Sequence, residues 1–289
     1  MITALIKTMR PRQWSKNIFI FAALVFDKQL LRPESFLRTL AGFALFCLIS
    51  SCVYIFNDLA DIEVDRQHPE KKNRPIAAGH LPVNIARLAG ILLLVIAVGL
   101  AYFLTPAFDA VLIVYFLLNM AYSKWLKHIS IVDVLVLAAG FVLRVHAGVT
   151  LIDVQRFSPW LYVVMTLLSL FLGFGKRRAE LALLAHGAGS HRKVLEGYTL
   201  PLLDQFIMIV SGTFIVAYSL YTFTAPNVPE NHSMMLTIPF VIYTIFRYLY
   251  LIEVKHAGGA PEEILLSDRP FQIAIGLWAA AVLAIFYFS

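Results

Sequence analysis

The chain has 289 residues, 60% of them hydrophobic and only 15% charged, with a mean hydropathy of +0.76. Soluble domains hold roughly half apolar and a quarter charged residues, so a water-soluble enzyme is excluded and an integral membrane protein is expected. The formal charge of +6 gathers in loops with no basic domain clear of the membrane, which suits anionic lipid or phosphorylated ligands and argues against nucleic acid.

The opening stretch MITALIKTMRPRQWSK lacks the compact apolar core and small-residue cleavage site of a signal peptide. Residues 1–16 are expected to lie along the cytoplasmic interface. There Arg12, Trp14 and Lys16 suit an interfacial anchor and a ligand-binding arm equally well. Apolar runs long enough to cross a bilayer, which takes about 20 residues, follow at about 17–31, 36–57, 84–104, 107–122, 129–150, 159–175, 204–225, 234–254 and 271–288. The first and fourth are short. Lys and Arg alternate between the loops so that one side carries Lys7 to Lys16, Arg66 to Arg74, Lys124 and Lys127, Lys176 to Lys193, and Lys255 with Arg269. Positively charged loops stay inside, giving a single polytopic domain over 1–289 with its N-terminus in the cytoplasm and cytoplasmic loops at about 58–83, 122–130, 175–203 and 254–270. Cys47 and Cys52 stand five apart in the second run and point away from each other, so no disulfide, zinc site or redox role is expected.

That second run ends in NDLADIEVD. On a continuous helix Asn57, Asp58, Asp61 and Asp65 fall within about 100° of arc, since their spacings are four, three and seven. Three carboxylates on one face repel one another unless something positive lies between them, and oxygen ligands converging there suit Mg²⁺, particularly when substrate phosphates complete its shell. Glu63 is the ordinary, solvated member. In the following KKNRPIAAG, Pro75 keeps Arg74 out of the helical region and Gly79 closes the segment, so the Arg fork is held in a shaped loop where it can grip phosphate. Lys71 and Lys72 fit simple charge anchoring.

Further along, AYSKWLKHISIVD places Tyr122, Ser123, Lys124 and Lys127 in a loop and Asp133 at the entry of the fifth run. Charges inside spans are costly and usually functional, so Asp133 and Arg144 are expected to face a polar cavity, while Arg247 in the eighth run fits pairing with a helix end. GFGKRRAEL closes the sixth run: Lys176 or Arg177 with Glu180 is a helix-spaced pair, and Gly173 and Gly175 permit close backbone approach. His68, His128, His186 and His191 lack metal-ligand spacing and read as solvated. Ser123 has no evident His partner, so a hydrolase is not indicated. In APEEILLSDRP, Glu262, Glu263, Asp268 and Arg269 fit a cover for the site or a cap for the last helix through Asp268.

NDLADIEVD, NRPIAAG and about nine apolar runs together resemble the UbiA superfamily of intramembrane prenyltransferases, over nearly the whole chain. The resemblance implies an all-α integral membrane bundle around a central polar cavity, with Mg²⁺ held by two acid-rich motifs and a lateral opening to lipid. Members that prenylate aromatic acceptors carry a second DxxxD after the sixth helix; GKRRAEL stands there instead. With RPRQWSKN, YSKWLKHISIVDVLVLAAGFVLR and GGAPEEILLSDR, this departure is similar to the decaprenyl-phosphate phosphoribosyltransferase branch of the arabinogalactan pathway. That likeness implies transfer of 5-phosphoribose from phosphoribosyl diphosphate to a polyprenyl phosphate at the cytoplasmic face of the cell membrane. Metal ligands would be Asn57, Asp58, Asp61 and Asp65, with Lys16, Arg74, Tyr122, Lys124, Lys127, Asp133, Arg144, Lys176, Arg177 and Glu180 around the phosphorylated substrates. Phosphates carry about −1.5 to −2 each, which accounts for the number of cations. A conventional prenyltransferase and a transporter using Asp133, Arg144 and Arg247 are the competing readings, and the sequence is compatible with a homo-oligomer.

Overall fold

The computed structural model describes residues 1–69, 71–154, 158–185, 193–255, 264 and 267–288, and among them every regular element is helical. In chain order these are α1 (Ile2–Met9), a 3₁₀ helix over Pro11–Phe21, α2 (Ala22–Phe26), α3 (Pro33–Ala60), α4 (Ile62–Gln67), α5 (Val83–Leu104), α6 (Pro106–Lys124), α7 (Val132–Val149), α8 (Trp160–Ala185), α9 (Leu200–Thr224), α10 (Ile238–Glu253) and α11 (Arg269–Phe288). Pro at the first turn starts α3, α6, α9 and α10, where its missing N–H leaves nothing unpaired. Thr105 and Thr199 accept hydrogen bonds from Phe108 N and Leu202 N as the N-caps of α6 and α9. Eight helical segments are long and apolar enough to cross a membrane among the described residues.

The count is thus eight where nine apolar runs were read, and the difference lies at 17–31. There the chain is a 3₁₀ helix followed by the five-residue α2. At about 2.0 Å per residue for the first and about 1.5 Å for the second, the pair measures roughly 30 Å end to end, close to a bilayer core. The tighter winding has a sequence cause. In a 3₁₀ helix residues three apart eclipse, and here Trp14, Asn17 and Ile20 share one edge. Trp14 Nε1 donates to Ser51 Oγ at 3.0 Å, Asn17 Nδ2 donates to Ser50 Oγ at 3.2 Å, and Ile20 is fully buried. Trp14 is therefore tied to α3 rather than serving only as an interfacial anchor.

The chain divides into two compact units. The first comprises Met1–Val25, Gln29–Lys127 and Leu143–Val154. In it α3, the most enclosed span, packs on α5, α6 and the 3₁₀ helix around Leu45, Phe46, Ile49, Phe108, Leu112 and Ala147. The outer face of α5 presents Leu88, Leu92, Val95 and Phe103, apolar surface that lipid covers. The second unit comprises Phe26–Lys28, His128–Val142 and Gln155–Ser289, with α8 packed along α9 and α10 against α11 around Phe171, Phe174, Phe214 and Tyr248. Gly173 and Gly175 make room for side chains rather than for the backbone approach expected: a Cβ on Gly173 would lie 2.6 Å from Val134 Cγ1, and one on Gly175 2.7 Å from Tyr248 Oη.

Gly148, on α7 within the first unit, admits the Ile20 carbonyl so closely that any Cβ would collide with backbone, whereas Gly99 on α5 faces open space. Gly148→Ala is expected to lower stability by about 1–3 kcal/mol through overpacking. Gly99→Ala should be neutral or stabilising by up to ~1 kcal/mol. Thermal unfolding in detergent separates the two, and equal midpoints would refute the close approach.

Candidate active site

In the first unit, α3 carries the acid motif to its end and breaks at Asp61, whose φ of −99° and ψ of 11° lie outside the helical well. Asp65 belongs to α4, so the four side chains occupy two helices rather than the single face expected. The turn-to-turn bonding nevertheless continues: Asp61 N donates to Asn57 O at 3.0 Å and Asp65 N to Asp61 O at 2.8 Å. The acids diverge in environment. Asp58 and Asp65 are 2% exposed, whereas the Asp61 side chain keeps a third of its surface in solvent.

Each carboxylate has a cation. Arg74 Nη1 donates to Asp65 Oδ2 at 2.7 Å and to Asp58 Oδ1 at 3.2 Å, joining the two buried acids. Arg10 Nη2 reaches Asp58 Oδ1 at 2.5 Å, and Lys127 Nζ lies 3.0 and 3.2 Å from the two oxygens of Asp61. The positive groups that the acid spacing demanded are thus supplied by the chain. Gly79 turns the loop behind Arg74 with φ 78°, a left-handed conformation costly for other residues, and Gly79 N donates to Ile76 O at 3.1 Å. Glu63 pairs with Arg66 at 2.9 Å on the surface, the ordinary role read for it.

Residues fit a divalent ion at this place in a limited way. No group of three His, Cys, Asp or Glu side chains converges among the described residues. Asn57 Oδ1, however, is buried with no hydrogen-bond partner beside Asp58. An orphaned acceptor costs about 1–3 kcal/mol, and Mg²⁺ commonly takes only one or two carboxylates from protein while substrate phosphates and water supply the rest. The donor set therefore suits a metal that arrives with a phosphorylated ligand better than a preformed cage.

The remaining candidates fall in separate clusters. Arg144 on α7 is buried, its Nε donating to Asn17 Oδ1 at 2.8 Å and Nη2 to Tyr115 Oη at 2.9 Å, over the Phe46 and Tyr115 rings. Lys16 and Tyr122 are half-buried, and Lys124 is exposed with Nζ 4.8 Å from the Trp125 ring centroid.

In the second unit Arg177, 2% exposed, donates from Nε to Asp133 Oδ2 at 2.6 Å and from Nη1 to Glu180 Oε2 at 2.7 Å. Of the two helix-spaced pairs read there, Arg177 with Glu180 is formed, its Arg end enclosed and its Glu end 23% exposed; Lys176 beside it is half-buried. Tyr198 Oη donates to Asp133 Oδ1 at 2.7 Å and accepts from Ile131 N at 2.5 Å. Burial, and then the bond to Asp133, push the Tyr198 phenol well above its ordinary value, so it stays a donor at any physiological pH. Arg247 grips both oxygens of Asp268 at 3.1 and 2.7 Å, while Asp268 caps α11 by accepting from Phe271 N at 2.8 Å. Both were read as a helix-end pair and a cap. The Arg247 bond holds the Asp268 carboxyl below its ordinary value. His186, His191, Glu262 and Glu263 lie outside the described residues.

Arg10, Asn17 and Tyr198 were not among the sequence candidates. Arg10 had a signal: like Arg74 it precedes Pro, which removes it from the helical region and presents its side chain at an element's end. Asn17 and Tyr198 had none, since only tertiary packing brings them to Arg144 and Asp133.

A sequence model described as the UbiA prenyltransferase family matches residues 17–262. The chain belongs to that family. Its relatives include proteins named decaprenyl-phosphate phosphoribosyltransferase from Mycolicibacterium smegmatis (35% identity, 100% of this chain and 94% of that one), Corynebacterium glutamicum (33%, 98% and 86%) and Mycobacterium tuberculosis (35%, 98% and 94%). Among solved structures, a UbiA homolog from Archaeoglobus fulgidus bound to DMAPP and Mg²⁺ superposes with a TM-score of 0.74 at 18% identity over 99% of both chains. A digeranylgeranylglyceryl phosphate synthase gives 0.68 at 16%, over 99% of this chain and 98% of that one. At such identities these likenesses establish the UbiA fold, a multi-pass membrane bundle.

Removing one partner of the buried Asp133–Arg177 pair strands a charge, which costs about 3–5 kcal/mol. Asp133→Asn and Arg177→Met should each lower the thermal midpoint markedly, and the double variant should cost clearly less than their sum. Strict additivity would show that the two do not act as a pair.

Proposed function

We propose that this UbiA family member transfers 5-phosphoribose from 5-phosphoribosyl 1-diphosphate to a polyprenyl phosphate of decaprenyl type, releasing diphosphate. The observation that carries the reading is full-length identity of 33–35% to relatives named for that reaction. It is supported by the cationic GKRRAEL where prenyltransferases of aromatic acceptors carry acids.

The reaction asks little of the protein in proton transfer. The lipid phosphate is ionised at neutral pH, so its oxygen forms the bond to ribose C1 as the C1–O bond to diphosphate breaks, the electron pair leaving with diphosphate. The ring acquires oxocarbenium character, as in other glycosyl transfers. Asn57, Asp58 and Asp61 would hold Mg²⁺, and Asp65 would join them or hold a ribose hydroxyl. When bound, the ion would neutralise charge developing on the leaving group. Arg74, Lys127, Lys124 and Lys16 would supply charge-assisted bonds to phosphate oxygens. Deeper groups act differently: Arg177, committed to Asp133 and Glu180, would set the conformation of α8 around it and the orientation of Lys176, which would contact phosphate. Tyr122 and Arg144 would line the acceptor side. The distribution of Lys and Arg among the loops supports a cytoplasmic-face site in the cell membrane, where the prenyl chain would lie in lipid.

Purified protein in detergent or lipid, given Mg²⁺, polyprenyl phosphate and radiolabelled phosphoribosyl diphosphate, is expected to yield labelled lipid. A parallel sample with prenyl diphosphate and 4-hydroxybenzoate should yield none; the opposite pattern would establish a conventional prenyltransferase. Asp61→Ala and Asp58→Asn should lower turnover by roughly 10²-fold or more with unaltered elution from a sizing column. Near-normal rates would remove both from the metal site.

A further inference from the structure

Arg10 stands at a junction. It terminates α1 and starts the 3₁₀ helix with φ 54° and ψ 62°, a left-handed conformation that disfavours any side chain. What holds it there is α3, which presents Tyr54 and Asp58 one turn apart. The guanidinium carbon lies 4.9 Å from the Tyr54 ring centroid and Nη2 lies 2.5 Å from Asp58 Oδ1. Arg74 approaches the same oxygen at 3.2 Å. Accessibility is lopsided: the Asp58 and Asp65 side chains are 2% and 3% exposed, whereas those of Arg10 and Arg74 are 30% and 27% exposed. The buried ends of these pairs are the carboxylates, and the reachable ends are the guanidiniums.

Charge balance follows. Asp58, Asp61 and Asp65 are matched by Arg10, Arg74 and Lys127, so the formal charges of these six groups cancel. A bare divalent ion entering the cluster must displace guanidiniums from Asp58 and leave them beside a dication where water screens poorly. A diphosphate changes both terms, because its oxygens accept the displaced forks bidentately and carry the compensating charge. We propose that Arg10, with Arg74, is a partner-exchanging residue: on donor binding the guanidiniums pass from Asp58 and Asp65 to the diphosphate. Divalent-ion binding is thereby conditional on a diphosphate ligand. This rests on the acid motif being the metal site, and it adds Arg10 to the donor-binding residues. It also explains why Asn57 Oδ1 can be left without a protein partner: it is a ligand that comes into use only once the forks have moved.

The test titrates paramagnetic Mn²⁺ into purified full-length protein and reads free Mn²⁺ by electron paramagnetic resonance, with and without inorganic pyrophosphate. Ion bound to pyrophosphate alone is subtracted from a protein-free sample. Wild type is expected to bind Mn²⁺ weakly alone and about 10-fold or more tightly with pyrophosphate, within the usual range of coupling between ligands. Arg10→Gln should bind Mn²⁺ alone more tightly than wild type and lose most of the enhancement. Tyr54→Leu, which keeps both charges and removes the ring beneath the guanidinium, should shift the same way. Unchanged metal-only affinity in both variants, with the wild-type enhancement intact, overturns the exchange and leaves the metal site standing. No Mn²⁺ binding to wild type in either condition, or binding indifferent to Asp58→Asn, overturns both.

Discussion

A carboxylate withdrawn from water at the end of a membrane helix cannot stay ionised without a counter-charge, and two of them lie within reach of one guanidinium here. Asp58 and Asp65 are almost fully enclosed, and Nη1 of Arg74 donates to both. Desolvating an ion costs several kcal/mol unless geometry and hydrogen bonds repay it, so the chain around these acids is arranged to deliver cations to fixed points. Pro75 and Gly79 shape the loop that aims Arg74. Trp14 and Asn17 fasten the segment that follows Arg10 onto α3. Asp61, at the break between α3 and α4, pairs with Lys127 and keeps a third of its side chain in solvent.

The second unit solves a related problem without access to solvent. Asp133 and Arg177 are both enclosed, and Tyr198 supplies Asp133 with a second donor. Tyr198 also accepts the backbone N–H of Ile131, a β-branched residue at φ 70°, a conformation that is a genuine outlier for such a side chain. One phenol thus satisfies a buried acid and pins a strained turn at the entrance to α7. Arg247 with Asp268, and Arg178 with Asp204 and Glu253, tie helix ends at shallower positions. Cations that look alike in sequence therefore divide by depth: Arg10, Arg74 and Lys127 keep about a quarter to a third of their side chains in solvent, and Arg177 is enclosed between its acids.

Much of this was legible from residue order alone. Among the described residues apolar runs located seven of the eight long helices within a few residues, because a span is set by length and composition. α8 instead continues to Ala185, ten residues past the end read for it, so Lys176 to Glu180 lie on a helix and not in the loop expected from 175 onward. The clustering of the acids at the end of the second run and a loop position for Arg74 were readable, since spacing and a following Pro are local signals; the single helix face expected for the acids was not what formed. Helix-end roles for Arg247 and Asp268 were readable for the same reason. What residue order did not show was pairing across distance. Nothing local says that Arg10 meets an acid 48 positions away, that Tyr198 meets Asp133, or that Arg144 is satisfied by an amide and a phenol. The helical break at Asp61 was also hidden, as no Pro or Gly marks it. The short run at 17–31 misled in an instructive way: apolar content suggested an α-helical span, while the three-residue rhythm of Trp14, Asn17 and Ile20 encoded a tighter coil.

That rhythm has an evolutionary corollary. In a coil of three residues per turn every position steps by about 120°, so deleting or inserting one residue between Pro11 and Ile20 would swing everything beyond it a third of the way round. Trp14, Asn17 and Ile20 could not then all keep their places against α3, and the joint that carries Arg10 would lose its mooring. Homologous chains should accordingly vary in residue type along this strap, yet keep its length unchanged.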